Sequence, residues 1–107
     1  MTTHSFPAIG NRYRADYGQL VFNLEFAADG ETLRWADAGA ADFDTAAKTE
    51  HYTATFVREG VFWVTWKEAD GTTVSHVEDF ANGIVHAAIT MPDHSFYTLT
   101  GKLTPRD

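Results

Sequence analysis

At 107 residues, 44% hydrophobic and 14% aromatic, the chain has length enough for one domain with its own core, too little for a catalytic plus a regulatory domain, and too much apolar content for disorder. Its formal charge of −7 comes from 15 acidic and 8 singly scattered basic residues, which leaves no footprint for nucleic acid or an anionic membrane, and no apolar run approaches the ~20 residues of a membrane span. The stretch Met1 to Pro7 lacks the basic start and apolar run of a secretory signal, and cysteine is absent, so a cytoplasmic protein is expected.

Turn-forming pairs recur at short intervals along the chain: Gly10-Asn11, Tyr17-Gly18, Asp29-Gly30, Glu59-Gly60, Asp70-Gly71, Asn82-Gly83 and Pro92-Asp93. Between them lie eight candidate strands: Arg12–Asp16, Gln19–Ala27, Thr32–Ala36, Glu50–Arg58, Val61–Glu68, Thr72–Phe80, Ile84–Met91 and Ser95–Leu103. Leu20, Phe22, Leu24 and Phe26 alternate with Gln19, Val21, Asn23 and Glu25, the period of a half-buried antiparallel strand, and Tyr52, Ala54 and Phe56 repeat it. Only Ala38–Lys48 has helical composition. Interrupted by Gly39 and without a long apolar stripe, it predicts a short helical turn or a flap over one barrel end. Consecutive antiparallel strands must dispose of two sheet edges, and closing into an up-and-down barrel removes them; an open sandwich is the competing arrangement. The prediction is a single all-β domain over residues 1–107, an eight-stranded antiparallel barrel whose interior is either just filled or holds one small ligand.

The fifth strand carries the most chemistry. Phe62, Val64, Trp66 and Glu68 share one face, and Val61, Trp63, Thr65 and Lys67 the other. A carboxylate on a face with Trp and Phe lies at the open end of a pocket, or is buried with a raised pKa or a partner; the alternative is an exposed hairpin-end carboxylate paired with a lysine. Trp63 and Trp66 read first as barrel filling and second as ligand stackers. His76, Glu78 and His86 fall on neighbouring strands, His76 and Glu78 on one face, but a satisfied barrel-mouth histidine is the simpler reading than a metal site. No Gly-rich phosphate loop, Cys/His zinc pattern or serine nucleophile elbow occurs, so no cofactor or metal is expected.

The run Arg58 to Ser75, with His86 and Pro92 beyond it, resembles the central strands of bacterial phenolic acid decarboxylases, small and often dimeric calycin-type barrels. The whole chain is more similar still to MoaF-like domains, in its Tyr17-Gly18 start, Trp66-Lys67-Glu68, and closing Tyr97 to Gly101. The decarboxylase resemblance implies a catalytic glutamate at Glu68 and a tyrosine at Tyr13. The family's second tyrosine falls at Ala15 and its arginine at Thr45, so two of its four catalytic positions are unmatched. Arg34 or Arg14 is the geometric substitute for the missing guanidinium.

The expectation is therefore a small cavity opening beside Tyr13, Arg34 and Glu68, with Phe22, Val64, Trp66, His76 and Glu78 as ligand contacts and an aromatic or carboxylate-bearing metabolite as occupant. A cofactor-independent lyase or isomerase with Glu68 as general acid/base is the second reading. A dimeric interaction module with a filled barrel is the third. Homodimerisation follows from the resemblance and from apolar residues on both faces of Val61–Trp66.

Overall fold

Every alternating run becomes a strand. The computed structural model describes residues 5–106, in which the strands are β1 (Arg12–Asp16), β2 (Val21–Phe26), β3 (Thr32–Asp37), β4 (Lys48–Arg58), β5 (Val61–Lys67), β6 (Thr73–Asp79), β7 (Ile84–Thr90) and β8 (Phe96–Arg106). A four-residue helix, α1 (Phe43–Ala46), joins β3 to β4. Met1 to His4, the first part of the stretch read above for a leader, lie outside the described residues. No helix among the described residues is long and apolar enough to cross a membrane.

Strands pair antiparallel in chain order, and β8 returns to β1 with Tyr13 opposite Pro105 and Ala15 opposite Leu103. The sheet is thus a closed barrel without a free edge, which excludes the sandwich. The period-two patterns point inward as written: Leu24 and Phe26, Leu33, Tyr52, Phe62, Val64 and Trp66, Val74 and Val85 form one buried cluster. A two-residue link, Glu59-Gly60, turns β4 into β5. Gly60 takes φ +80°, and a register shift between Phe56 and Arg58 absorbs the twist.

One end of the barrel is stoppered by a residue ahead of β1. Phe6 is buried with its ring centroid 5.3 Å from those of Phe26 and Phe62 and 5.6 Å from those of Tyr52 and Phe80. Most of these pairs meet edge to face, an arrangement worth ~0.5–1.5 kcal/mol each beyond the area buried. Tyr13 packs in the same cluster, against Phe26 and Phe80.

Two expectations are corrected on the outer wall. Trp63 faces outward, 47% exposed, with its indole N–H donating to Ser75 Oγ at 2.8 Å, because it sits out of phase with the inward Phe62 and Val64. The Ala-rich segment does not cap a barrel end: α1 packs on the outside of β3, where Phe43 lies under the Arg34 guanidinium, 5.1 Å from ring centroid to Cζ. Asp42 caps this helix by accepting the Asp44 N–H at 3.2 Å.

Candidate functional site

Opposite the Phe6 stopper the barrel is open. A cavity of about 380 Å³ runs in from this end, between apolar walls that include Leu24, Val74, Ile89 and Leu99 and the aromatic rings of Phe22, Trp35 and Trp66. The exposed residues Leu20, Asp70, Met91 and Tyr97 form its rim. Ala15, small and buried, is among the lining residues, while Phe6 and its ring partners fill the other end.

Each of two tryptophans is fixed by a carboxylate. Trp35 donates its indole N–H to Glu50 Oε2 at 3.0 Å, and Trp66 donates to Glu68 Oε2 at 3.0 Å. Glu50 is buried because it lies in phase with the inward Tyr52 on β4. Glu68 follows the last residue of β5 and reaches back to Trp66. Burial pushes its pKa up; the Trp66 N–H works against that shift, and the negative charges of Glu50 and Asp70 add to it. The Lys48 ammonium lies 5.3 Å from the centroid of the Trp35 ring, a cation–π distance. Lys48 is the only lysine or arginine among the described cavity-lining residues, and its charge acts on Glu68 and Asp70 there.

Along one wall runs a line of polar groups. His76, 5% exposed, lies with its Nδ1 2.9 Å from Glu78 Oε2, and its Nε2 is 3.3 Å from Tyr17 Oη. A carboxylate accepts, so Nδ1 carries the hydrogen, and in the neutral ring Nε2 accepts from the Tyr17 hydroxyl. Trp66 packs edge-on against the imidazole, with centroids 4.9 Å apart. Glu78 is fully buried and its Oε1 has no hydrogen-bond partner among the described residues. Burial and the nearby Glu78 charge raise the pKa of Tyr17, and the same effects raise that of Tyr13. Tyr52 is pushed up to about 12, by burial first and then by the Asp29 and Glu78 charges.

Of the residues expected at the site, Glu68, Phe22, Trp66 and His76 line the cavity. Val64 and Glu78 are buried in the interior behind this lining. Two expected members lie elsewhere. Tyr13 belongs to the aromatic cluster at the stoppered end, because β1 runs from that end toward the mouth. Arg34 points out of the barrel, bonded to Glu25 at 2.6 Å and Asp44 at 3.0 Å, since its neighbours Leu33 and Trp35 take the inward phase. It therefore offers no clamp to a ligand in the cavity. Glu68 is partnered by an indole rather than by a lysine. His86 is on the outer wall against Thr100, so it does not converge with His76 and Glu78. No group of three or more metal-ligating side chains occurs among the described residues.

Tyr17, Glu50 and Lys48 were not anticipated. Tyr17 follows β1 and reads in sequence as half of a Tyr-Gly turn; Glu50 had a signal, its phase with Tyr52 and Ala54.

An antiparallel eight-stranded barrel with one stoppered end and one open cavity fits the description of a calycin-like barrel. The chain belongs to the MoaF-like family, which it matches over residues 9–104. Among solved structures it is similar to a Burkholderia vietnamiensis protein described provisionally as a beta-lactamase, at 28% identity and a TM-score of 0.86 over 97% of this chain and 100% of that one. No curated protein matches the sequence.

Proposed function

We propose that this MoaF-like barrel binds a small, uncharged aromatic metabolite in its cavity. The observation that carries the reading is the open apolar space of about 380 Å³ between Phe22, Trp35 and Trp66, a volume within the range of small-molecule sites. The two indoles are held in place by Glu50 and Glu68, so the walls are set before a ligand arrives, which lowers the ordering cost of binding. A carboxylate-bearing ligand fits less well than the sequence suggests. One lysine at the mouth faces two lining carboxylates, with Glu50 behind them, and an anion meets net repulsion. An unfilled interior also weighs against a barrel that serves only as an interaction module.

The description attached to the Burkholderia relative finds no support in this cavity. Neither serine nor cysteine is among its described lining residues, and the Thr72 hydroxyl is bonded to Asp70.

Three probes of matched size test the reading: phenylacetone, phenylacetate and 2-phenylethylamine, followed by quenching of tryptophan fluorescence. Phenylacetone is expected to bind with a Kd on the order of 0.1–1 mM, from about 0.5 kcal/mol per non-hydrogen atom, and phenylacetate at least ~10-fold more weakly. Saturable binding of phenylacetate at equal or higher affinity, or no binding of any probe, rejects it. Native mass spectrometry of protein from its source host then identifies the natural occupant.

A further inference from the structure

Binding alone gives no use to the line Tyr17–His76–Glu78. An ionisable side chain with no exposed surface and one oxygen without a partner among the described residues is costly to keep in a barrel interior, and such groups concentrate where chemistry is done. Its hydrogen-bond partner among the described residues is the ring nitrogen of a histidine that faces the cavity. The geometry is that of a base held by a carboxylate, with a hydroxyl donor beside the base.

We propose that Tyr17 and His76 form a proton-transfer site that acts on an enolisable aryl carbonyl compound, with Glu78 as the positioning residue for His76. The proposal rests on the cavity being a ligand site. Glu78 accepts Nδ1–H and so fixes the tautomer that leaves the Nε2 lone pair available. At 3.3 Å the Tyr17–His76 contact is long, and a bound carbonyl group can replace it. The substrate oxygen then accepts from Tyr17 Oη–H while a hydrogen on its α-carbon faces Nε2. In the transfer that C–H bond breaks and the proton moves to Nε2. The bonding pair becomes the enolate double bond, and the carbonyl π pair moves onto the oxygen held by Tyr17. The imidazolium is balanced by Glu78. Return of a proton from Nε2 to the same carbon gives exchange, and to a conjugated carbon gives isomerisation; no oxidant or co-reactant is consumed. The raised pKa of Tyr17 keeps its hydroxyl protonated and therefore a donor at neutral pH. Trp66, edge-on to His76, places an aromatic wall next to the reacting atom, which favours an aryl group adjacent to the α-carbon.

The test is exchange of the α-hydrogens of phenylacetone in D2O, followed by proton NMR against the buffer rate, with binding measured in parallel by tryptophan fluorescence. Wild type is expected to exceed the buffer rate. Tyr17→Phe and His76→Gln are expected to lower the enzymatic rate roughly 100-fold or more while the Kd changes by only a few-fold. Glu78→Gln should lower the rate with the Kd retained, the split that marks positioning. Should His76→Gln fail to fold, Tyr17→Phe carries the test, because it keeps the ring and removes only the hydroxyl. Binding of phenylacetone with exchange at the buffer rate, or exchange unchanged in Tyr17→Phe, overturns this proposal and leaves the binding reading standing. Absence of binding overturns both.

Discussion

Gly101 on β8 is where the Tyr17 position is set, and Gly101→Ala tests it. Gly101 lies in the inward phase of β8, two residues before the buried Leu103, and the end of β1 passes directly over it. A Cβ added there overlaps the Asp16 carbonyl oxygen and falls 2.8 Å from both the Asp16 carbonyl carbon and Tyr17 Cδ1. Ordinary contact begins at 3.4 Å, so Tyr17 Cδ1 and the Asp16 carbonyl carbon must yield by about 0.6 Å and the overlapping Asp16 carbonyl oxygen by more, and two of the three atoms are backbone of a paired strand. The φ of Gly101 is one that alanine adopts freely, so space alone is in question. If that space existed, alanine would be more stable than glycine in a strand by about 0.5–1 kcal/mol. Overpacking of this kind costs about 1–3 kcal/mol. Overlap with backbone puts the cost at the upper end of that range, so the clash is expected to dominate, with a net loss of about 2 kcal/mol after the glycine term and a fall in Tm of roughly 8 °C for a domain of this size. Thermal unfolding followed by circular dichroism, with urea titration to confirm an unchanged m-value, reads it directly. A Gly101→Ala protein as stable as wild type, or more so, refutes the argument that β1 is seated on this glycine.

Glu68 gives a prediction of sign. Its folded pKa lies above the unfolded value, so between the two the folded state holds the extra proton, and its contribution to stability declines as pH rises across that interval. Glu68→Gln, which keeps an acceptor for the Trp66 indole, is expected to gain stability over wild type at neutral pH and to match it in acid; urea titrations at the two pH values decide, and a variant less stable at neutral pH contradicts the assignment. Arg34→Ala should leave phenylacetone affinity and exchange unchanged, with a stability cost of at most ~1 kcal/mol, since its partners Glu25 and Asp44 are on the outer wall; a loss of exchange would return Arg34 to the site. Homodimerisation, expected from the resemblance, has its best surface at the directly paired and exposed Trp63 and Val77 on β5 and β6. Sedimentation velocity should show a dimer that Trp63→Glu dissociates, and wild type that stays monomeric at high micromolar concentration rejects the expectation.

The strands were legible because a barrel wall with one buried face writes itself as alternation, and the turn residues mark where each run stops. Even the closed topology followed from the need to remove two edges. What alternation does not say is which of two faces is inward when both are apolar, and that is why Trp63 reads as barrel filling together with Trp66 although the two lie on opposite faces. Nor does it say at which end of the barrel an inward residue sits. Tyr13 and Glu68 both face the interior, yet one meets the Phe6 stopper and the other the mouth, a separation set by strand direction and register rather than by residue type. The pair His76 and Glu78 was read as sharing a face, and it does; its junction with Tyr17, 59 residues away from His76, depends on barrel closure and left no local trace.

The pairing of β1 with β8 also governs when the cavity comes into being. Asp16, the neighbour of Tyr17, meets Lys102 across that seam, so the wall that carries Tyr17 is completed by a contact between strands far apart in sequence. Contacts of such wide sequence separation form slowly and late, and until they do Tyr17 has no seat on Gly101. Before that pairing forms, the inner faces of β2–β7 lie open to solvent with both sheet edges unpaired. Under the binding reading, a small molecule that fits the finished cavity binds only the closed barrel and would therefore stabilise this seam against opening.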